Sequence, residues 1–425
     1  LPVVSSPGEP VDLAGGLVLR CATELDVESI FDLALSAFGA SDAPSLRDHL
    51  QGADRDITDW AVVVEGDRVV STCVLFSTSL SLDGLAIDVG HIENVVTDPD
   101  HQRQGLVRAL MDWQHRRSAA RGHVAQMIGG IPYLYRRFGY GYGISHPDLF
   151  LLGPQVIGPA LRRDPGIELR PAIVDDVPDL VALERLRPAH QLRIERDERH
   201  WRRWITMAST GAPHEHFVVA RRDGRLVGWA SLTRQTDAHR VVLVPAVTTD
   251  ADVTDAIVAF ALELATTAAS VGRGVAVIGY DAPGTVHGAR VRQLGTPIPF
   301  GLGVYVRIAD PLRCLRALRP LLSNRLSASP FASASGSVMI SLYDTAVAIA
   351  YDHGTVTTID PAARMEDPFE AAECGVAPDW FPALVLGRWG ARELERRVDD
   401  VLLGRHSDLL EVLFPRIDAD IAADL

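Results

Sequence analysis

The sequence repeats itself, and that repeat limits its folds more than any single motif does. Leu17-Val18-Leu19-Arg20, followed by Ala22, Asp26-Val27 and Leu33, returns as Ile167-Glu168-Leu169-Arg170, followed by Ala172, Asp176-Val177 and Leu183. Each copy reads as a short strand leading into a helix that begins near an acidic residue. A hairpin pattern follows in the same order in both copies. In the first, Trp60-Ala61-Val62-Val63-Val64 turns at Glu65-Gly66-Asp67-Arg68 into Val69 to Val74, and in the second, Phe217-Val218-Val219-Ala220 turns at Arg222-Asp223-Gly224-Arg225 into Leu226 to Ala230. Two copies of one α/β unit are therefore expected, beginning near residues 17 and 167.

The repeat leaves a remainder. A chain of 425 residues is too long for one ordinary core. The polar stretch from Gly153 to Gly166, with its Pro and Gly, reads as a linker between the copies. After Phe300 come alternating strand patterns at Ser337–Leu342 and Ala346–Ala350 and a helical pattern at Ala391–Val398, which predict a separate α+β layer. Ser327 to Gly336 is small and polar enough to read as a mobile loop. The expected units are thus 1–155, 156–298 and 299–425, in a mixed α/β and α+β chain.

Charge and cysteine usage narrow the function. A net charge of -14 argues against nucleic acid and anionic membranes as partners and is compatible with cationic small molecules. Cys21, Cys73, Cys314 and Cys374 lie far apart with no metal-type spacing, which fits a reducing, cytoplasmic compartment and no metal. No run of about 18 apolar residues suggests a membrane span, and the first residues lack a basic start followed by an apolar core.

One junction in the first copy stands out. The β-branched run His91-Ile92-Glu93-Asn94-Val95-Val96-Thr97 gives way to DHQRQGLVRAL, residues 100 to 110, after which Leu106, Leu110 and Trp113 recur at helical spacing. A strand-turn-helix junction without bulky side chains offers unpaired N–H groups to phosphate oxygens, or is an ordinary connecting turn. The second copy runs Ala246 to Val253 into its helix with no glycine, so only the first is a candidate for phosphate chemistry.

The segment Val95 to Val107 resembles motif A of the GNAT N-acetyltransferases, in which Arg or Gln, two residues, Gly, one residue and then Gly or Ala succeed one another. Gln102 and Gly105 match, and Val107 stands where the small residue belongs. The resemblance implies acetyl-CoA as co-substrate, with Val95, Val96 and Thr97 beside its pantetheine and Gln102, Arg103, Gln104, Gly105, Leu106 and Val107 at its pyrophosphate. A second stretch, Tyr135-Arg136-Arg137-Phe138-Gly139-Tyr140-Gly141, looks like the enhanced intracellular survival (Eis) branch of that superfamily. That branch implies two tandem GNAT-like domains, the second degenerate, followed by a sterol-carrier-protein-like α+β domain, in a homo-oligomer such as a hexamer.

The same likeness assigns roles. Tyr135 would protonate the departing thiolate, as a phenol of pKa about 10 can do for a thiolate whose conjugate acid has pKa about 8.5. The free α-carboxylate of Leu425 would be the general base, with Glu93 and His91 as alternative bases. Strand alternation places both on the face of Val95. Tyr140 reads as a packing residue. The implied reaction is direct transfer of acetyl to a primary amine of a cationic acceptor, aminoglycosides among them. The rival is a non-catalytic acyl-CoA-binding or interaction protein, which Val107 favours. Two further patterns carry less. His214-Glu215-His216 lacks a third metal ligand, and Trp201 and Trp204 read as the buried side of an amphipathic helix whose arginines are solvated.

Overall fold

Arg20 and Arg170 show why the two copies share their opening residues. In a computed structural model, Arg20 holds both Asp26 oxygens at 2.7 and 2.9 Å while Asp26 accepts the Thr23 N–H at 2.7 Å. Arg170 holds Asp176 at 2.7 Å through each nitrogen, and Asp176 accepts the Ile173 N–H at 2.9 Å. Each pair ties a strand, Val18–Cys21 or Ile167–Pro171, to the start of the helix that follows it, Val27–Phe38 or Val177–Glu184. The structure describes residues 8–421 apart from 53, 132, 146–147, 154–159, 163, 189–190, 210–215, 236–239, 269–275, 299–302 and 364–372.

The first sheet runs in the order Val11–Asp12, Val18–Cys21, Trp60–Glu65, Arg68–Leu82, Leu85–Thr97, Ala125–Gly130, Gly303–Arg307 and Gly141–Ile144. Trp60–Glu65 is apolar at every residue but its last because both faces of the sheet are covered there. Trp60, Val62 and Val64 pack with helices Val27–Phe38 and Ala43–Gln51, and the alternate residues Ala61 and Val63 pack with helix Leu106–Ala120. The second sheet, from Thr296–Ile298 through Leu149–Leu152, Ala276–Tyr280, Arg240–Thr248, Arg225–Gln235 and His216–Arg222 to Ile167–Pro171, repeats the arrangement. Trp201, Trp204, Phe217 and Trp229 fill one of its faces.

Both expected hairpins form, and two strands cross the divisions set from the sequence. Leu149–Leu152 pairs in the second sheet, against Ala276–Tyr280. Gly303–Arg307 inserts into the first sheet between Ala125–Gly130 and Gly141–Ile144. The third sheet, Thr355–Ala362, Ala346–Asp352, Gly336–Ser341, Cys374–Val376 and Val401–Leu402, does not stand apart either. Its Val338, Ile340 and Ile349 share one core with Leu80, Val89 and Met127 of the first sheet through helix Pro311–Ser327.

Two expectations are corrected here. The stretch after Ser327 is pinned: the Ser329 hydroxyl donates to the Leu326 carbonyl at 2.7 Å, the Gly354 N–H to the Ala334 carbonyl at 3.1 Å, and Phe331 packs on the core. Trp201 and Trp204 are buried as expected, but Arg203 beside them is not solvated; it reaches Asp48 of the first copy at 2.9 Å through Nε. Of the His214-Glu215-His216 pattern, the first two residues lie outside the described residues, and His216 begins a strand.

The last described residues also join the first sheet. Asp418–Asp420 runs parallel to Gln191–Ile194, which pairs antiparallel with the end of Arg68–Leu82. Arg187, wholly buried, fixes this strand by donating to the Asp420 carboxylate at 2.5 Å and to its main-chain carbonyl at 3.1 Å. Glu184 bonds Arg187 and also accepts from Arg196 at 2.9 Å, so no charge in the group is left alone. No helix among the described residues is long and apolar enough to cross a membrane.

Candidate active site

Two parallel strands of the first sheet pair over three residues and then part. Val89, Gly90 and His91 face Ala125, Gln126 and Met127, and no pairing continues beyond them. From there Ile92–Thr97 and Ile128–Gly130 run on without bonding each other, which leaves main-chain groups of Val95 and Thr97 on the open side for an extended ligand, while Val96 between them pairs with Thr72 and its carbonyl accepts from the Ser71 hydroxyl at 3.0 Å. The strand also bulges. Val74 stands opposite Glu93 but Thr72 opposite Val96, so Leu85–Thr97 carries an extra residue there, and Asn94 takes a left-handed φ of 51°.

That bulge overturns the expected face. His91 and Glu93 do share one, their Nε2 and Oε1 lying 3.3 Å apart, and His49 Nδ1 of helix Ala43–Gln51 comes within 3.7 Å of the other Glu93 oxygen. Val95, however, packs with Ile92, Leu106 and Leu110 on the opposite side, because the extra residue inverts the alternation. His49 is held neutral: burial pulls its pKa down to about 4, and Asn94 Nδ2 lies 3.0 Å from its Nδ1.

The turn after this strand is built by its own residues. Asp98 accepts the Asp100 N–H at 3.0 Å, and Pro99 opens a single helical turn that ends at His101. Arg103 and Gly105 then take left-handed φ values of 63° and 82°, and helix Leu106–Ala120 starts with no side chain capping it. A Cβ added at Gly105 would meet nothing within 4 Å, so the space over the helix start is open. Unpaired first-turn N–H groups, the positive end of the helix and open space suit an anion such as a pyrophosphate. Gln102, Arg103 and Gln104 are exposed there, whereas Val107 is half-buried and packs on the core around Leu110 and Met111.

The second copy shows the converse. Before helix Ala251–Ala268, Asp250 accepts the N–H groups of Asp252 and Val253, each at 3.1 Å, and binds Arg222 at 2.9 Å. The chain's own carboxylate thus occupies the place where the first copy leaves N–H groups free.

Tyr135 lies in the short helical turn Leu134–Phe138, 6% exposed, on the face that carries Ile92, Ile128 and Leu106. Its ring crowds Gly130, whose missing Cβ would come 3.0 Å from the ring and 3.6 Å from the hydroxyl oxygen. That puts the phenol at the end of the strand bordering the split. Burial, then the neighbouring Cys73 and Tyr305, push its pKa up to about 12, so it stays a proton donor throughout the neutral range. Tyr140 is a packing residue, as expected, buried with its hydroxyl 2.8 Å from His115 Nε2. Cys73 is no nucleophile, since burial raises its thiol to about 12.

The split therefore brings Val95, the Gly105 turn and Tyr135 to one face, and sets Glu93, His91 and His49 on the other. Leu425 lies outside the described residues. Sequence reasoning missed His49 and Tyr305, which the fold delivers from a distant helix and from a strand beyond the second copy. Tyr305 sat in a legible strand pattern, but nothing local named that strand's partners.

Comparison with known proteins places the first copy and the fold. The sequence profile of the acetyltransferase (GNAT) domain matches residues 18–143. The N-acetyltransferase Eis of Mycobacterium tuberculosis is 32% identical over 136 residues, 29% of this chain and 32% of that protein, so the match spans about a third of the curated relative. Over nearly the whole chain the fold is similar to solved structures. A GCN5-related N-acetyltransferase from Kribbella flavida superimposes with a TM-score of 0.64 at 17% identity, covering 95% of this chain and 97% of its own. Eis1 from Mycobacterium abscessus does so with a TM-score of 0.59 at 15% identity, covering 94% and 98%.

Proposed function

We propose, starting from residues 18–143 as a GNAT acetyltransferase domain of the Eis type, that the chain is an N-acetyltransferase moving acetyl from acetyl-CoA to a primary amine of a cationic acceptor, such as an aminoglycoside. The observation that carries this reading is the convergence of an uncapped helix start, a parted strand and a buried phenol on one face of one sheet. In it, Val95 and Thr97 hold the pantetheine through the main chain with Val96 between them, and residues 102–107 hold the pyrophosphate. The acceptor nitrogen attacks the thioester carbonyl carbon, the C–S bond breaks, and Tyr135 gives its proton to the leaving sulfur. Transfer is direct, in one ternary complex, which agrees with a buried Cys73.

The nitrogen must also lose a proton. The proposed base is the α-carboxylate of Leu425. In support, the strand Asp418–Asp420 runs in the same direction as Leu85–Thr97, toward the level where that strand parts from its neighbour. Glu93 and His91 are the alternative bases on the acceptor face. The third segment we read as sterol-carrier-like, from its mixed sheet backed by one long helix.

The test is release of coenzyme A from acetyl-CoA in the presence of a panel of amines that includes aminoglycosides. Turnover with some amine above the rate of hydrolysis is expected, and Tyr135→Phe should lower kcat about a hundredfold while changing the KM for acetyl-CoA little. Acetyl-CoA binding with no amine accepted would instead support the second reading, a non-catalytic acyl-CoA-binding protein, which Val107 in the motif favours.

A further inference from the structure

We infer that Tyr305 is a positioning residue for the reaction, a hydroxyl supplied from beyond the second copy that sets where the Tyr135 phenol stands. The inference rests on the acid role proposed for Tyr135. Tyr305 lies at the middle of strand Gly303–Arg307, opposite Ile128 on one side and Tyr142 on the other, and is fully buried. Its hydroxyl accepts the Tyr133 N–H at 2.6 Å, donates to the Tyr142 hydroxyl at 2.7 Å, and comes within 3.5 Å of the Ile131 carbonyl.

Those contacts fall on the segment that leads into Tyr135. Tyr133 has a left-handed φ of 71°, a conformation that side-chain-bearing residues avoid unless something holds them there. The residue is 68% exposed, so packing holds it little; the bond from its N–H to Tyr305 does so together with the turn bonds from Leu134 N–H to the Ile131 carbonyl at 3.4 Å and from Arg136 N–H to the Tyr133 carbonyl at 3.3 Å. The Tyr305 ring meets Tyr135 edge to face at 5.9 Å and stacks on Tyr142 at 4.4 Å, so the hydroxyl fixes the turn and the ring fixes the phenol. The other aromatic neighbours supply no such link. Tyr140 is committed to His115, and Phe138 has no polar atom.

A proton donor acts only within hydrogen-bond reach of the leaving sulfur, and a small displacement of such a group is costly in rate. Tyr305→Phe removes the hydroxyl and keeps both ring contacts. Initial rates with acetyl-CoA and the best amine of the panel are to be measured for wild type, Tyr305→Phe, Tyr135→Phe and the double variant. Tyr305→Phe should lower kcat about tenfold with the KM for acetyl-CoA within about twofold. In the Tyr135→Phe background the same substitution should change kcat less than about twofold, because it acts through the phenol.

Wild-type turnover in Tyr305→Phe overturns the inference, and so does an equal loss in both backgrounds, which marks a general structural role. Wild-type turnover in Tyr135→Phe instead removes the acid role itself, a separate result read from a separate variant. If Tyr305→Phe does not fold, Tyr142→Phe takes its place, since it removes only the acceptor of the Tyr305 proton. A kcat loss of about threefold that vanishes without Tyr135 is then expected, and no loss overturns the inference.

Discussion

At the scale of single residues, the left-handed backbones of Gly105 and Asn94 shape the turn and the bulge, and only the first was legible. Gly105, at φ 82°, announced itself as a lone glycine between a strand pattern and a helix pattern. Asn94, at φ 51°, did not, because a bulge depends on how many residues the neighbouring strand places opposite it. That missing count is why Glu93 was expected on the wrong face relative to Val95. Tyr135 was legible through its motif, while Tyr305, which touches it, was not. Gly105→Ala should raise the Kd for acetyl-CoA at least about tenfold and cost about 1 kcal/mol of stability, since the Cβ meets no neighbour yet forces a left-handed alanine at the helix start. Titration calorimetry and a thermal melt read the two effects separately.

At the scale of elements, the hairpins and the first helix of each copy follow local rules and were read correctly, whereas the long helix of the second copy, expected from Ala256 to Leu264, begins at Ala251. Turn residues, alternation and the Arg–Asp pairs act within a few residues of chain. The fate of each copy is likewise local. The first leaves the start of helix Leu106–Ala120 uncapped, and the second fills the start of Ala251–Ala268 with Asp250. A carboxylate already seated on those N–H groups, and paired with Arg222, excludes a phosphate by charge and by occupancy. Equilibrium binding should therefore find about one acetyl-CoA per chain. A stoichiometry near two would mean that Asp250 yields its place.

At the scale of the whole molecule, pairings between distant segments were not legible. Strand Leu149–Leu152 of the first unit sits in the second sheet, Gly303–Arg307 from beyond the second copy sits in the first, and Asp418–Asp420 reaches the first sheet only through Gln191–Ile194. No local pattern distinguishes a strand that pairs with its neighbour from one that pairs far away. Arg187 is the point where the C-terminal strand and the second copy lock together. Arg187→Met should cost about 3–5 kcal/mol, because it leaves Glu184 and Asp420 buried without their shared cation. A melting temperature unchanged from wild type would show that these carboxylates find other partners.

The exchanged strand Gly303–Arg307 also dictates an order of assembly. As the chain leaves the ribosome, Ala125–Gly130 and Gly141–Ile144 emerge long before the strand that belongs between them. Until residue 307 is made, the first copy keeps two raw sheet edges and lacks a buried tyrosine beside its phenol. The copy with the open helix start is translated first and completed late, so the second copy cannot be deleted without also losing the span that carries the chain back to close it.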